Sequence, residues 1–336
     1  MKIRLLTGVV ALLLAGCGGS APSGTREIRI PKGAGGVGFL PLLVMEKNQL
    51  IEKHAREAGL GEVAVKWIDL GGPSAVNDAL LSGSADFTAA GPPAFLTLWD
   101  RTRDSAKVTG VAAITSLPMY LNTRSEHLKR LEDLDSQDKI ALTAIKVSIP
   151  AIVMQMYARQ KYGGEAVTRF DKYTVSMTHP DAVVALLGGS GAITAHFSSP
   201  PFHQRERKDP QVRTILTSDE VMGGPATFTM LAATTKFRDE NPGIIGAVIA
   251  ALDDANARIA ADHAMAARLL FESSGGGGLS EEELAVILND PAIRFTTTPE
   301  NVMKFAEFMQ ANGSLENKSA AWTELFFPEL HGAPGN

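Results

Sequence analysis

The stretch PSAVNDALLSGSADFTAAGPP (residues 73–93) returns as PDAVVALLGGSGAITAHFSSPP (residues 180–201), its start displaced by 107 positions. Each copy reads Pro at a helix start, an Ala-Val and Ala-Leu-Leu helical run, a small-residue turn, a β-prone segment and Pro-Pro. A chain rich in Ala, Gly and Leu produces chance echoes, so the setting of each copy decides whether the repeat means anything. Around the first copy, EIRIPKG, the helical LPLLVMEKNQLIEKHAREAG and VAVKWIDL precede it, and KVTGVAAIT (107–115) follows. Around the second, KIALTA (139–144), a helix across IPAIVMQMYARQKYG and YTVSM repeat the plan. Strand-like and helix-like runs that alternate in this way imply βαβ units and a mostly parallel sheet. The two copies occupy the same place in two successive α/β units, which favours a true structural repeat.

TFTMLAATT (227–235) reads as a strand leading back to the first unit, and about 100 residues of helical pattern follow without a new strand. Asn241 with Pro242 is expected to open a long helix. Ser280 with Glu283 forms a capping box, and Thr298 with Pro299 is expected to open a helix that Gly313 ends. The tail is best used to cover the first sheet. The expected organisation is therefore a discontinuous lobe of residues 26–116 and 227–336, with a second lobe of residues 117–226 inserted. Two crossings, near 115–120 and 223–228, connect them, with Gly223 and Gly224 free to absorb dihedral change.

At the amino end, Lys2 and Arg4 precede the apolar run LLTGVVALLLAG, the layout of a secretory signal. The run is shorter than the roughly 20 residues that span a bilayer as a helix. LAGC, Leu14 to Cys17, resembles the lipobox of bacterial lipoproteins, in which cleavage after residue 16 leaves the cysteine as a lipidated first residue. An ordinary signal with a small-residue cleavage site is the alternative. Cys17 is the chain's one cysteine, so neither a disulfide nor thiol chemistry is expected downstream. Residues 17–25, with GGSAPSGT, have the composition of a tether, placing the folded part just off a membrane. Losing Lys2 and Arg4 would move the formal charge from −5 to −7, and no basic clustering of the kind that marks nucleic-acid binders appears.

Several stretches together resemble the periplasmic substrate-binding proteins of ABC importers, in the nitrate, taurine and alkanesulfonate branch. They are GFLPLLVMEKNQLIEKHAREAGL (38–60), VKWIDLGGPSAVNDALLSGSADF (65–87), LEDLDSQDKIAL (131–142) and the second repeat copy. The resemblance covers nearly the whole chain after the tether. It implies an α/β, two-lobed periplasmic-binding-protein fold of type II, with two mostly parallel sheets flanked by helices. It further implies a monomer that closes on one small molecule and presents it to an ABC permease and its ATPase.

In open parallel sheets ligands sit beyond the carboxyl ends of the strands, where helices begin. The candidate ligand contacts are therefore the small and polar residues at those turns. Gly38 and Phe39 close the first, GAGGVGF (33–39); Gly72 and Ser74 belong to the second, LGGPSAV; Gly91 and Pro92 to the third, AAGPPAF. In the second unit Ser148 precedes Pro150 in IKVSIPAI, and His196, Ser198 and Ser199 stand in HFSSPPF. Helix N-termini contribute about 0.3–1 kcal/mol each to anion binding, against the roughly 8 kcal/mol of a micromolar complex. Burial of an aromatic face of about 150–250 Å² adds roughly 4–6 kcal/mol at about 25 cal/mol per Å². A ligand with an apolar or ring portion and a polar head is expected, gripped by residues such as Phe39, Phe95 or Phe197.

Competing chemistry finds little support. Gly33, Gly35 and Gly38 spell G-x-G-x-x-G, but Asp69 lies 31 residues beyond Gly38 rather than about 20, and Pro41 delays the helix. His196 and His203 have no third and fourth ligand at metal-like spacing, so neither metal nor cofactor is expected. No G-x-S-x-G elbow or H-E-x-x-H occurs, and relatives of this fold that make a thiamine pyrimidine use a cysteine-rich stretch that is absent here. A binding protein rather than an enzyme is expected, with a sensing or docking lipoprotein of the same shape as the rival reading.

Overall fold

The computed structural model describes residues 25–33, 35–70, 73–189 and 191–336. The signal segment, Cys17, Gly72 and all of the tether before residue 25 lie outside the described residues.

The first unit begins with β1 (Arg26–Pro31) and β2 (Val63–Ile68), paired in parallel, and α1 (Leu40–Asn48) and α2 (Leu50–Glu57) connect them. Pro41 stands at the start of α1, where its missing N–H costs nothing. Gln49, left-handed at φ 49°, separates α1 from α2. Then follow α3 (Pro73–Leu81), β3 (Phe87–Ala90), α4 (Pro92–Arg101) and β4 (Val108–Ser116). Asp86 ties β3 beside β1: its N–H donates to the Arg29 carbonyl at 2.9 Å, and its carboxylate accepts from the Arg29 N–H and guanidinium, both at 2.7 Å.

The second unit contains β5 (Tyr120–Thr123), β6 (Ile140–Leu142), α5 (Ile149–Tyr162), β7 (Thr174–Ser176), α6 (His179–Gly188), β8 (Ala195–Ser198), α7 (Phe202–Arg207), β9 (Arg213–Thr217) and α8 (Ser218–Met222). The chain returns as β10 (Thr227–Thr234), followed by α9 (Thr235–Glu240), α10 (Ile244–Ala261), α11 (His263–Ser274), α12 (Glu281–Leu288), β11 (Arg294–Phe295) and α13 (Val302–Ala311).

The two units share one plan. In the first, β1 and β2 form a two-stranded sheet and β10 lies antiparallel between β3 and β4 in a four-stranded sheet of order β11-β4-β10-β3; in the second, β5 lies antiparallel between β8 and β9 in a five-stranded sheet of order β7-β6-β8-β5-β9. The pairs β1-β2, β6-β7 and β6-β8 are parallel, as the sequence pattern implies, whereas β10 and β5 run antiparallel to both of their neighbours and β11 runs antiparallel to β4. The repeated stretches occupy α3 to the start of α4 and α6 to the start of α7, so the echo is one supersecondary unit used twice. β3 and β8 are buried at every position, as strands covered on both faces require. Phe87, Phe95, Phe197 and Phe305 are among the largest fully buried side chains, each worth about 1.5–3 kcal/mol of transfer free energy.

The tail covers the first sheet: α10 packs on α1 and α2, α11 on α1, and α13 on α4 and also α5. Three local expectations need correction. β11 pairs with β4, so the tail does contain a short strand. Asn241 ends α9, and α10 opens only after Gly243, left-handed at φ 85°. α13 opens at Val302, beyond Pro299, because Glu300 is held to the start of β10: its N–H donates to Thr227 Oγ1 and its carbonyl accepts from the Thr227 N–H, both at 2.9 Å. The Ser280 and Glu283 capping box forms as read.

Two crossings join the sheets, residues 117–119 between β4 and β5 and α8 with residues 223–226 between β9 and β10. Gly223 is left-handed at φ 70° and Gly224 adopts φ 142°, the latter a conformation that favours glycine. The crossings are bonded to each other: the Ser218 N–H donates to the Met119 carbonyl at 2.8 Å, and the Met119 N–H donates to Ser218 Oγ at 2.9 Å.

Candidate functional site

Where the carboxyl ends of the two sheets face each other, the chain leaves a cavity with a small inner and a large outer chamber. The inner one, about 60 Å³, is closed from one side by Gly35, Phe39, Ala89, Ala90, Gly91, Ala94, Phe228 and Thr229. From the other side come Met119, Thr143, Val147, Ser148, Ile149, Pro150, His179 and Ser199. Among the described residues no lysine or arginine lines it. The outer chamber, about 620 Å³, shares Gly35, Phe39, Thr143 and His179 and adds Lys32, Glu46, Lys47, Trp67, Asp69, Thr178 and Glu272. Its size falls within the roughly 300–1,000 Å³ of small-molecule sites.

Local sequence builds the walls. Gly33, Gly35 and Gly36 have φ of 81°, 76° and 79°, so this turn needs glycine to form. It lets the Val37 N–H donate to the Pro200 carbonyl, across from the other sheet, at 3.4 Å. Phe39 meets Phe228 edge to face, 6.5 Å between centroids. Gly38 stands behind them: its carbonyl accepts from Thr115 Oγ1 at 3.0 Å and Thr229 Oγ1 at 2.6 Å. A β-carbon on Gly38 would lie 2.2 Å from Phe228 Cε1, so its lack of a side chain is what admits that ring. Opposite, Ser148 occupies the N-cap position of α5 but does not cap; its hydroxyl donates to the Ala144 carbonyl at 2.5 Å.

A buried polar chain runs from the chamber into the second sheet. His179 Nδ1 and His196 Nε2 are 2.8 Å apart, and His196 Nδ1 lies 2.5 Å from Glu206 Oε1. Glu206 Oε2 accepts from Asn122 Nδ2 at 2.7 Å, while Thr214 Oγ1 donates to Asn122 Oδ1 at 2.7 Å. Asn122 Nδ2 also reaches His203 Nδ1 at 3.1 Å, and His203 stacks on Tyr120 with centroids 3.7 Å apart. His196 and Glu206 are 1% and 0% exposed, and His179, at 8%, is the member that touches the cavity. Burial, reinforced by His196, holds the His179 imidazole well below its ordinary range. Burial and then Arg207 push His203 down to about 4, and burial pushes the Tyr120 hydroxyl up to about 12.

Of the residues singled out from the sequence, Phe39, Gly91, Ser148 and Ser199 meet in the inner chamber. Gly38 and Pro92 are buried behind its wall. His196 sits one layer back, linked through His179, and Ser198 is fully buried without lining either chamber. Ser74 is exposed on α3 and lines neither chamber. Phe95 and Phe197 belong to the core, because β8 is covered on both faces and Phe95 packs on Phe326 at 5.9 Å. His179, Phe228, Thr143 and Met119 escaped the sequence reading. His179 had a signal: it precedes Pro180 in the second repeat copy as Gly72 precedes Pro73 in the first. His203 and His196 are engaged with Asn122 and Glu206. Elsewhere His127, Asp135 and Asp138 gather within 4.8 Å, but His127 Nε2 and the Asp135 N–H already bond Asp138 Oδ2, at 3.0 and 2.9 Å.

Two α/β units, each with one antiparallel strand between two neighbours, two crossings and a cavity between them define the class: this is the periplasmic-binding-protein fold. No family model matches the chain, and no curated protein matches it by sequence. Among solved structures it is similar to the periplasmic aliphatic sulphonate binding protein SsuA from Escherichia coli, with TM-score 0.64 and 17% identity over 90% of this chain and 92% of that one. It is similar to the alkanesulfonate-binding protein SsuA from Xanthomonas axonopodis pv. citri bound to MOPS, with TM-score 0.63 and 16% identity over 87% and 94%. It is also similar to the periplasmic nitrate-binding protein NrtA from Synechocystis PCC 6803, with TM-score 0.65 and 12% identity over 91% and 86%. The likeness is one of fold.

Proposed function

We propose that this chain is the extracytoplasmic solute-binding component of an ABC importer. It captures a small organic molecule with a ring or other flat apolar body between two lobes and delivers it to a permease and its ATPase. The observation that carries the reading is the two-chambered cavity between the units: the inner chamber, about 60 Å³, takes one edge of the molecule and the outer chamber, about 620 Å³, has room for its body. Phe39 and Phe228 supply apolar faces, and Thr143, Ser148, His179, Ser199 and Thr229 supply hydrogen-bonding groups. A mostly apolar pocket with a few convergent polar groups is what such sites look like. Without an inner lysine or arginine, a bare inorganic anion would have hydroxyls, one imidazole and helix ends as partners, which suits an organic body better. Lys47 in the outer chamber is available to a charged extension, while Lys32 is paired with Glu46 at 2.7 Å.

The lobes are residues 26–116 with 227–336, and residues 117–226, with Cys17 carrying the lipid that holds the protein at the membrane as a monomer. Contacts supporting a closed clamp cross between these sets: Lys208 Nζ, just past α7, lies 2.6 Å from Glu283 Oε1 of α12 and donates to the Gly278 carbonyl at 3.2 Å. The chamber residues Phe39, Gly91, Ser148, His179, Ser199 and Phe228 hold the ligand.

The test is a thermal-shift screen of the protein against sulfonates, nitrate, bicarbonate, pyrimidines, flavins and aromatic acids. A ligand at 100 times its Kd adds about 2.7 kcal/mol of stability. A shift by one ring-bearing class, without turnover and with a more compact scattering profile, supports the reading. A ligand-bound structure holding only a small inorganic anion overturns the ring-bearing part of it, and unchanged compactness on binding overturns closure.

A further inference from the structure

Charge balance inside the second sheet fixes the hydrogen-bonding role of His179 in the chamber. Glu206 is 0% exposed. An amide nitrogen only donates, and Asn122 stands with Nδ2 2.7 Å from Glu206 Oε2 and with Oδ1 accepting from the Thr214 hydroxyl. Glu206 Oε2 is therefore an acceptor, and Oε1 faces His196 Nδ1 at 2.5 Å. A buried carboxylate needs a positive partner in contact with it, and the basic group in contact with Glu206 is His196. An imidazolium at His196 carries protons on both nitrogens. Its Nε2–H then donates to His179 Nδ1 across 2.8 Å. A neutral His179 that accepts at Nδ1 must carry its proton on Nε2. That atom's protein neighbour is Ser199 Oγ, at the long distance of 3.5 Å, which leaves its donor capacity for a ligand.

We propose that the buried pair Glu206 and His196 makes His179 an obligate, uncharged hydrogen-bond donor to the ligand, so that His179 determines specificity and Glu206 and His196 are its positioning residues. The inference rests on reading the inner chamber as the ligand site. It names the chemistry required there: the ligand presents an acceptor, an oxygen or a ring nitrogen with a free lone pair, to His179 Nε2–H beside the Phe39 and Phe228 faces. An ammonium or amide N–H at that point meets another donor and is rejected, since a buried polar group left unpaired incurs its full desolvation penalty. The opposite polarity, a lone pair on His179 Nε2, would instead make His179 a base toward Ser199.

The test reads proton positions directly and needs no ligand. Long-range ¹H–¹⁵N correlation spectra of the full chain labelled with ¹⁵N-histidine distinguish a ring nitrogen bearing a proton from one bearing a lone pair. His179→Gln and His196→Gln assign the signals. At neutral pH the expected result is His196 protonated on both nitrogens and His179 protonated on Nε2 alone. In Glu206→Gln the counter-charge is gone, so His196 becomes singly protonated. A lone pair on His179 Nε2 in the unaltered protein overturns the proposal, and so does an unchanged His196 pattern in a folded Glu206→Gln variant. Should that variant not fold, the unaltered protein still decides. The spectra are recorded without ligand, so their outcome is independent of whether the binding screen succeeds.

Discussion

A β-carbon placed on Gly91 would stand 2.9 Å from both Cγ1 and Cδ1 of Ile149. Gly91 links β3 to α4 in the first unit and Ile149 opens α5 in the second, so at this point the two halves meet with room for a hydrogen only. Gly91 has φ −75° and ψ 160°, which any residue adopts, so a side chain there strains its contact with Ile149 and, less tightly, with the Phe228 carbonyl at 3.2 Å rather than its own backbone. Gly91→Val should keep the unliganded fold, with a melting temperature lowered by no more than a few degrees, since 1 kcal/mol is worth about 2–4 °C in chains of this size or slightly smaller. It should abolish the ligand-induced thermal shift and the compaction seen by scattering. Retained compaction would show that the halves do not need to meet at Gly91.

Gly38→Ala tests the wall itself. The new methyl would fall 2.2 Å from Phe228 Cε1, and overpacking of this kind costs about 1–3 kcal/mol. Urea denaturation should report that loss. Pairing the change with Phe228→Ala, which opens the space, should recover ligand-free stability only in part, because the removed ring leaves a cavity.

His203 gives the protein an acid sensitivity. Its folded-state pKa is pushed down to about 4, first by burial and then by Arg207, from an ordinary 6.5. Between these values the unfolded chain binds the proton and the folded one does not, so stability falls as pH drops from about 6.5 towards 4 and levels off below. His203→Gln should flatten this portion of the stability profile, measured as denaturation midpoints at a series of pH values, while leaving the profile above pH 7 unchanged in slope.

The bridge between Lys208 and Glu283, at 2.6 Å, is half exposed, with side chains 47% and 43% accessible. Pairs of this kind contribute about 0–1 kcal/mol and weaken with salt. Lys208→Ala should change unfolding free energy by less than about 1 kcal/mol, with the difference shrinking in 1 M salt. Its larger effect should be on ligand release, because the pair forms only where the helices of the two halves meet; stopped-flow displacement would measure it.

The fold was legible in the sequence through redundancy. Two α/β runs in order, the repeat and the turn glycines each implied the same architecture, and such agreement between levels is what specifies a fold. The strands that were not read are short or interior. Tyr120–Thr123 has four residues, and Asn122 and Thr123 within it are buried polar groups, so no apolar alternation marks it. The reversed placement of Thr227–Thr234 between two strands comes from tertiary pairing, which local patterns do not carry. The site was legible as far as the rule that ligands meet helix starts, which led to Gly91, Ser148 and Ser199. It failed where depth mattered. His196 and Ser198 share one face of a strand that is buried throughout, and their distance from the cavity is set by α6 lying over them. His179 became visible only when Glu206, 27 positions later in the chain, was seen to face the histidine behind it.

Met119 lines the inner chamber, and its backbone is bonded at both N–H and C=O to Ser218 of the other crossing. In the proposed clamp the floor of the cavity is thus part of the axle on which the halves turn. A ligand resting there has no leverage: it presses where rotation moves atoms least, while contacts at Phe39 or Ser199 act at a longer radius. Enlarging or trimming residue 119 would therefore change how tightly the molecule sits and how easily the jaws swing in the same stroke. Affinity and opening rate cannot be adjusted separately from that position, whereas along the outer walls they can.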